Sequence, residues 1–487
     1  MTTTRQLTEG VTPDPVEFTG RRAAPVGPAP KIVVAAAALV DLVLALLPLL
    51  VGAMIVEALS DENGGGPADR LVFGGAALAI AAGLIVWNNG FRVGRTGASA
   101  AMGWFGLVAR DRDTRQPIGV RRALTRLVRR DIEVVRTATA QAEGFEPVAG
   151  DGSVAGVRRR RLLGLAVLVV ILAVVLLASL AVGARALTFP EIFHALFSAD
   201  GNQADLIVRS LRVPRTVLGL VVGIALGVAG ALIQGHTRNP LADAGLLGLN
   251  AGAALLVVLS MFLFGFSSPS QYLWFAFAGS AIASITVFGL ASLGNGASSP
   301  LSLALAGAAV AFFLQAMTQA IIIVDQNSLD SYRFWVVGSV AGRGFDIFWQ
   351  VLPFLIAGLV LALASTPGLN VLSLGEDMAR SLGTSIIRSR TLGIIAITLL
   401  TGAATAACGP IAFIGLVVPH IARAITGPDY RWLVPYAGIL GGVMLVTADV
   451  IGRVVTRPGE LQVGIVLAVF GAPFFIALVR RRKLASL

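Results

Sequence analysis

Three arginines and one short stretch of mixed charge are the residues of this chain with chemistry to offer. Arg212 and Arg215 bracket a proline in "RVPRTVLGL", at the lip of an apolar run, and Arg453 closes a later run. Guanidinium groups in such places recognise charge: each presents a rigid fork of N–H donors to a carboxylate or a phosphate. Two readings stay open for them, anchoring at lipid headgroups and docking of an acidic partner. One exposed ion pair is worth about 0.2–1 kcal/mol, so several pairs spread over a face would mainly fix register and speed encounter. The second stretch is "LGEDMARSLG", residues 374–383. Glu376 and Asp377 come first, Arg380 later and Gly383 last, an order that suits a short helix with its dipole and its C-cap. It reads either as a solvated connector or as a helix on which a second protein pushes. Asp41 stands inside an apolar run, where a carboxylate is costly and often functional.

Nothing accompanies these residues that would make or break bonds. His194, His236 and His420 are far apart and show no ligand spacing, so no metal site is expected. Cys408 is the single cysteine and lies among apolar residues, which rules out a disulfide framework and suggests a buried, inert thiol. The only lysines are Lys31 in "GPAPKI" and Lys483 in "RRRKL". A phosphate-cradling P-loop needs a lysine behind a glycine-rich turn, so the chain does not carry its own Walker ATPase. We expect no catalytic residues, no cofactor on this chain and no nucleic-acid partner.

The elements that must position these groups are membrane helices. The 487 residues are 56% hydrophobic and 13% charged, with a mean hydropathy of +0.82. Runs of about 20 apolar residues recur, each long enough to cross a bilayer. The expected fold is all-α and polytopic, with about twelve transmembrane helices. Residues 1–30, rich in Pro, Thr and Gly, read as a disordered tail. Two spans follow, near 32–56 and 71–90. A polar stretch at 91–161 then carries fifteen arginines against seven acidic residues and ends in "RRRR". Ten core spans are drawn near 162–184, 213–234, 245–265, 271–293, 301–324, 348–366, 391–408, 411–426, 433–451 and 463–479. The last is followed by "RRRK". Both arginine clusters lie inside by the positive-inside rule if the spans between them are even in number, and ten satisfies this. Both termini are then cytoplasmic, in a multi-pass protein of the inner or plasma membrane. The first apolar run is too long for a cleaved signal. This topology puts Arg212, Arg215 and Arg453 outside and the 366–390 loop inside. Arginine at 215 then sits against the dipole of the helix it opens. A short echo, "RTVLG" at 215–219 and "RTLG" at 390–393, opens runs of opposite direction, as inverted transporter repeats do.

The blocks "LRVPRTVLGLVVGIALGVAGALIQGHTRNPLADAGLLGLNAGAAL", "FWVVGSVAG", "LNVLSLGEDMARSLG", "GPIAFIGLVVPHIAR" and "ELQVGIVLAVFGAPFFIALVRRR" occur in that order. Through them residues 162–483, in a domain drawn at 158–487, resemble the FecCD family, the iron-siderophore and vitamin B12-type permeases of ABC importers. The resemblance implies ten spans per subunit and two permease subunits, identical or not, around a central path. It implies that Arg212, Arg215 and Arg453 meet acidic residues of an extracytoplasmic binding protein. It implies that Gly375, Glu376, Ala379, Arg380 and Gly383 belong to a coupling helix seated on a cytoplasmic ABC ATPase dimer, which would use the ATP. The implied cargo is an iron complex, a ferric siderophore before haem or cobalamin.

The region 31–157 resembles instead the RDD family of small membrane domains, through "GLVARDRDTRQPIG", the arginine-rich segment after it and Asp41 in the first span. Where that family has an arginine before the aspartate, Val34 stands here. An ATP-independent ion or solute carrier built on this half is the alternative function. A scaffold recruiting partners through the basic segment is a third, and that segment could bind anionic membrane lipid by charge.

Overall fold

The computed structural model describes Asp41, residues 107–111 and 132–136, and residues 154–485 apart from 184, 186, 199, 293–299 and 457–458. The chain divides into two units, residues 1–48 with 79–150, and residues 49–78 with 151–487. The expected tail at 1–30 and, Asp41 apart, both N-terminal spans lie outside the described residues. Asp41 is helical and buried.

In the first unit, β1 (Leu107–Asp111) and β2 (Ile132–Arg136) pair antiparallel, with Ala109 opposite Val134 and Arg110 opposite Glu133. The basic segment was expected without strands. Val108, Val134 and Val135 favour a pleated surface. Five-residue runs among arginines are nonetheless too short to show a clear period of two.

Among the described residues of the second unit the regular elements are all helices. Its long helices are α1 (Val154–Ala181), α4 (Val213–His236), α5 (Leu249–Phe264), α6 (Pro269–Ser292), α7 (Pro300–Val324), α9 (Phe345–Leu372), α11 (Ile386–Cys408), α12 (Ile414–Thr426), α13 (Tyr430–Val455) and α14 (Val463–Ala485). They fall on the ten expected core spans. Seven candidate spans are long and apolar enough to cross a membrane, and α5, α12 and the described part of α14 are shorter apolar helices. At about 1.5 Å per residue, the 16 residues of α5 fall short of a hydrocarbon core of about 30 Å.

Shorter helices join them: α2 (Phe189–Phe197), α3 (Gln203–Leu206), α8 (Gln326–Val336) and α10 (Glu376–Ser381). Reciprocal capping boxes start α2, from Thr188 and Glu191, and α3, from Asn202 and Asp205. From α3 the chain runs through a π-helical stretch, Ile207–Arg212, into α4 without a break, making one helix of 34 residues. The span drawn at 213–234 therefore begins after the 4 residues of α3 and the 6 of the π-helical stretch. Arg212 and Arg215 lie well inside a helix, and the conflict between Arg215 and an N-terminal dipole disappears.

This long helix is the centre of the bundle. Of its most apolar window 78% is buried, against 17% for α1 at the periphery. It packs antiparallel on α13, and glycine lets it do so. A Cβ at Gly227 would strike the Ala437 carbonyl, and one at Gly223 would lie 2.5 Å from the Gly441 carbonyl oxygen. Small residues four apart are the usual means by which membrane helices approach at backbone distance. Further along, Gly230 meets Gly415 of α12, and Gly235 meets Leu369 of α9 and Tyr430 of α13. The C-terminal ends of α4 and α9 thus share one end of the bundle, and α10 follows α9 there. Arg212 and Arg215 stand at the other end, separated by the 24 residues of α4, about 36 Å of helix.

Candidate docking and coupling sites

At the first end, α1 finishes with carbonyls that have no partner within their own helix. Arg212 donates from Nη1 to the Leu180 and Ala181 oxygens at 2.6 and 2.8 Å, and from Nη2 to the Arg185 carbonyl. Arg453 donates from Nη1 to the Ser179 and Val182 oxygens at 2.8 and 3.1 Å. Two cations thus close the negative end of α1, where the helix dipole welcomes positive charge. Ser179 ties the cluster together: its Oγ lies 2.7 Å from Thr216 Oγ1 and accepts from Arg453 Nη2 at 2.7 Å.

Asp449 lies between the other guanidiniums. Arg215 donates to both its oxygens, from Nε at 3.1 Å and from Nη2 at 2.8 Å, and Arg453 Nη2 donates to Oδ2 at 2.6 Å. Asp449 and Arg453 are one helical turn apart on α13 and both are 3% exposed. Arg215 also reaches out of the cluster, from Nη1 to Glu460 at 2.7 Å. Three cations and two carboxylates leave one positive charge.

Arg212 and Arg453 are 5% and 3% exposed, with their terminal nitrogens bonded to the end of α1, the residues just after it and Asp449. Only Arg215, through its contact with half-exposed Glu460, opens onto the surface. Sequence reasoning missed Asp449 and Glu460. Asp449 carried a signal: an acid in an apolar span, four residues before an arginine already singled out.

At the opposite end, "LGEDMARSLG" forms α10 in the expected order of charge. Gly375 (φ +116°) and Gly383 (φ +75°) bound it in conformations that L side chains rarely adopt. Its last turn closes as a Schellman motif, with Gly383 N donating to Arg380 O at 2.9 Å and Thr384 N to Ala379 O at 3.0 Å. Ala379 is fully buried against Leu372 and Ile386. Glu376 is held from outside α10 by Arg390 at 2.6 Å, while Arg380 reaches Asp377 at 3.1 Å near the surface. Leu374, Met378 and Leu382, four residues apart, are each more than half exposed and form an apolar stripe on the outer side. The echoed arginines, Arg215 and Arg390, thus sit at opposite ends of the bundle, each in an ion pair.

Among the described residues, no group of three His, Cys, Asp or Glu side chains could hold a metal ion. Cys408 is fully buried as a free thiol.

Comparison with known proteins bears on both ends. Residues 171–481 match the FecCD transport family. The ferric enterobactin transport system permease protein FepD of Escherichia coli (strain K12) is 46% identical over 333 residues, which are 68% of this chain and 98% of FepD. The Fe(3+)-citrate import system permease protein YfmD of Bacillus subtilis (strain 168) is 41% identical over 305 residues, 63% of this chain and 90% of YfmD. A solved structure assigned as a metal-chelate type ABC transporter, in an inward-facing conformation, superposes with a TM-score of 0.58 at 25% identity, over 65% of this chain and 98% of that one.

Proposed function

The chain belongs to the FecCD transport family, and from that premise we propose that it passes a ferric siderophore inward from an extracytoplasmic binding protein. It is a membrane-spanning permease subunit of an ABC importer. The observation that carries the cargo is the match across 171–481 together with the iron-complex permeases among the relatives. ATP is hydrolysed by a separate cytoplasmic ATPase dimer, and a second permease subunit completes the path.

The arginine end is the extracytoplasmic face in this reading, and both termini are cytoplasmic. Arg212 and Arg453 brace the end of α1, and Arg215 is the charge a partner carboxylate can reach by displacing Glu460. The ATPase seats on α10, with the stripe of Leu374, Met378 and Leu382 as its apolar contact. Glu376, bonded to Arg390, links that helix to α11. Movement of α10 therefore pulls on the membrane core directly.

Uptake of radiolabelled ferric chelates by cells with and without the chain tests the reading. Loss of uptake of one ferric siderophore, restored by the intact chain, is the expected result. Loss of haem or cobalamin uptake alone would reassign the cargo within the same family. Undiminished uptake of all three would overturn the importer reading in favour of an ATP-independent carrier.

A further inference from the structure

A cavity of about 710 Å³ opens at the arginine end, between the end of α5, the start of α6, α8 and the loops at 337–344 and 459–462. Its volume is that of a small-molecule site. Tyr272, Phe334 and Trp335 give it aromatic walls, and Ser339, Arg343 and Gln462 give it polar ones.

Its donors are in surplus. Trp335 is 3% exposed, and its indole Nε1 has no hydrogen-bond partner. A buried indole N–H usually finds an acceptor, because leaving it unpaired is costly. Arg343 has a buried, unpartnered Nε, and its two terminal nitrogens meet only the Tyr272 hydroxyl, both at a long 3.4 Å. Among the described residues no carboxylate forms an ion pair with Arg343. The two acids on the wall are already engaged, Asp330 by Arg333 at 3.1 Å and Glu460 by Arg215 at 2.7 Å.

The loop that carries Arg343 is fixed at its base. Ser339 N donates to the Cys408 carbonyl at 2.7 Å, at the end of α11, and Gly464 N, at the start of α14, donates to the Gly338 carbonyl at 3.2 Å. Gly338 (φ +77°) and Gly342 (φ +68°) supply the turns. The Arg343 guanidinium is thus held at a mouth whose two acids are paired elsewhere.

We propose that this cavity is a cargo subsite on the permease itself, in which the terminal nitrogens of Arg343 donate to anionic oxygen atoms of the incoming ferric chelate. It rests on the importer reading and adds that the permease discriminates by charge. The planar fork of arginine matches paired oxygens on one metal or one carboxylate, and the aromatic walls cover the flat faces of the chelating groups.

The test uses the full-length chain in lipid nanodiscs and equilibrium dialysis against two radiolabelled probes, anionic iron(III) citrate and neutral tris(acetohydroxamato)iron(III). The intact chain should hold the anionic complex the more tightly. Arg343→Gln should weaken that complex by about tenfold or more, since hydrogen bonds to charged groups are worth about 1.5–3 kcal/mol, and leave the neutral complex unchanged. Arg343→Lys should keep most of the preference. Gln462→Glu, an isosteric change that adds a negative charge to the wall, should weaken the anionic complex alone, and it serves as the second variant should Arg343→Gln fail to fold. Equal binding of the two probes by the intact chain overturns the proposal, as does anionic binding unchanged in both charge variants. Cellular uptake separates the two readings: if uptake depends on the chain while the charge variants bind normally, the subsite falls and the importer stands.

Discussion

Asp449 is the residue on which the arginine cluster depends. Removing one member of a buried ion pair leaves its partners charged and unpaired, at a cost of about 3–5 kcal/mol. Asp449→Ala leaves buried Arg453 without a carboxylate and Arg215 with Glu460 alone, so it should sharply lower the yield of monodisperse protein and its thermal unfolding temperature in detergent. Glu460→Gln gives up one half-exposed partner of Arg215 and should leave folding intact. If Glu460 competes with the binding protein for Arg215, this variant should bind that protein more tightly, with the gain shrinking as salt is raised. Titrating docking against ionic strength reads both effects, and identical curves for the variant and the intact chain would remove Glu460 from the docking face.

At the scale of elements, the seam between α4 and α13 is set by backbone contact. Gly227→Leu must push the helices apart, because even a Cβ at 227 collides with the Ala437 carbonyl. Gly245→Ala meets nothing within 4 Å and serves as the silent control. Thermal unfolding should drop for the first and not for the second. The ten core helices were legible in the sequence because about 20 apolar residues have few alternatives to a membrane span. The segment that extends α4 backward was not: "NQADLIVRS" is polar enough to pass for a loop, and only its capping box and the π-turn that follows make it helix. The short helix α10 was legible from its charge order and terminal glycine. The burial of Arg212 and Arg453 was hidden, because it depends on where α1 ends, and the carbonyls that receive them lie about thirty or more residues away in sequence. Trp335 and Arg343 had no local signal at all, since the orphaned donors emerge only when five segments meet.

For the whole molecule, orientation is the property on which the transport reading turns, and the buried thiol makes it easy to measure. Cys408 should stay silent toward maleimides until the protein is denatured, so single cysteines can be read without replacing it. Asp200 and Asp377 are both strongly exposed, one at each end. On intact cells an impermeant maleimide should label Asp200→Cys and spare Asp377→Cys. Labelling of both, or of the second alone, would invert or abolish the assignment of docking and coupling faces. The curated relative FepD is covered over 98% of its length by about two thirds of this chain. Deletion of residues 1–150 is therefore expected to leave chelate uptake largely intact, measured in the same cells. The helix of 34 residues from Gln203 to His236 has a last consequence. The place along it where a displacement could be absorbed is the π-helical stretch at Ile207–Arg212, since long helices bend at π-bulges. From Val213 to His236 the helix is unbroken, so in the importer reading a tilt of its His236 end is carried as far as Arg215, and the coupling and docking ends turn together.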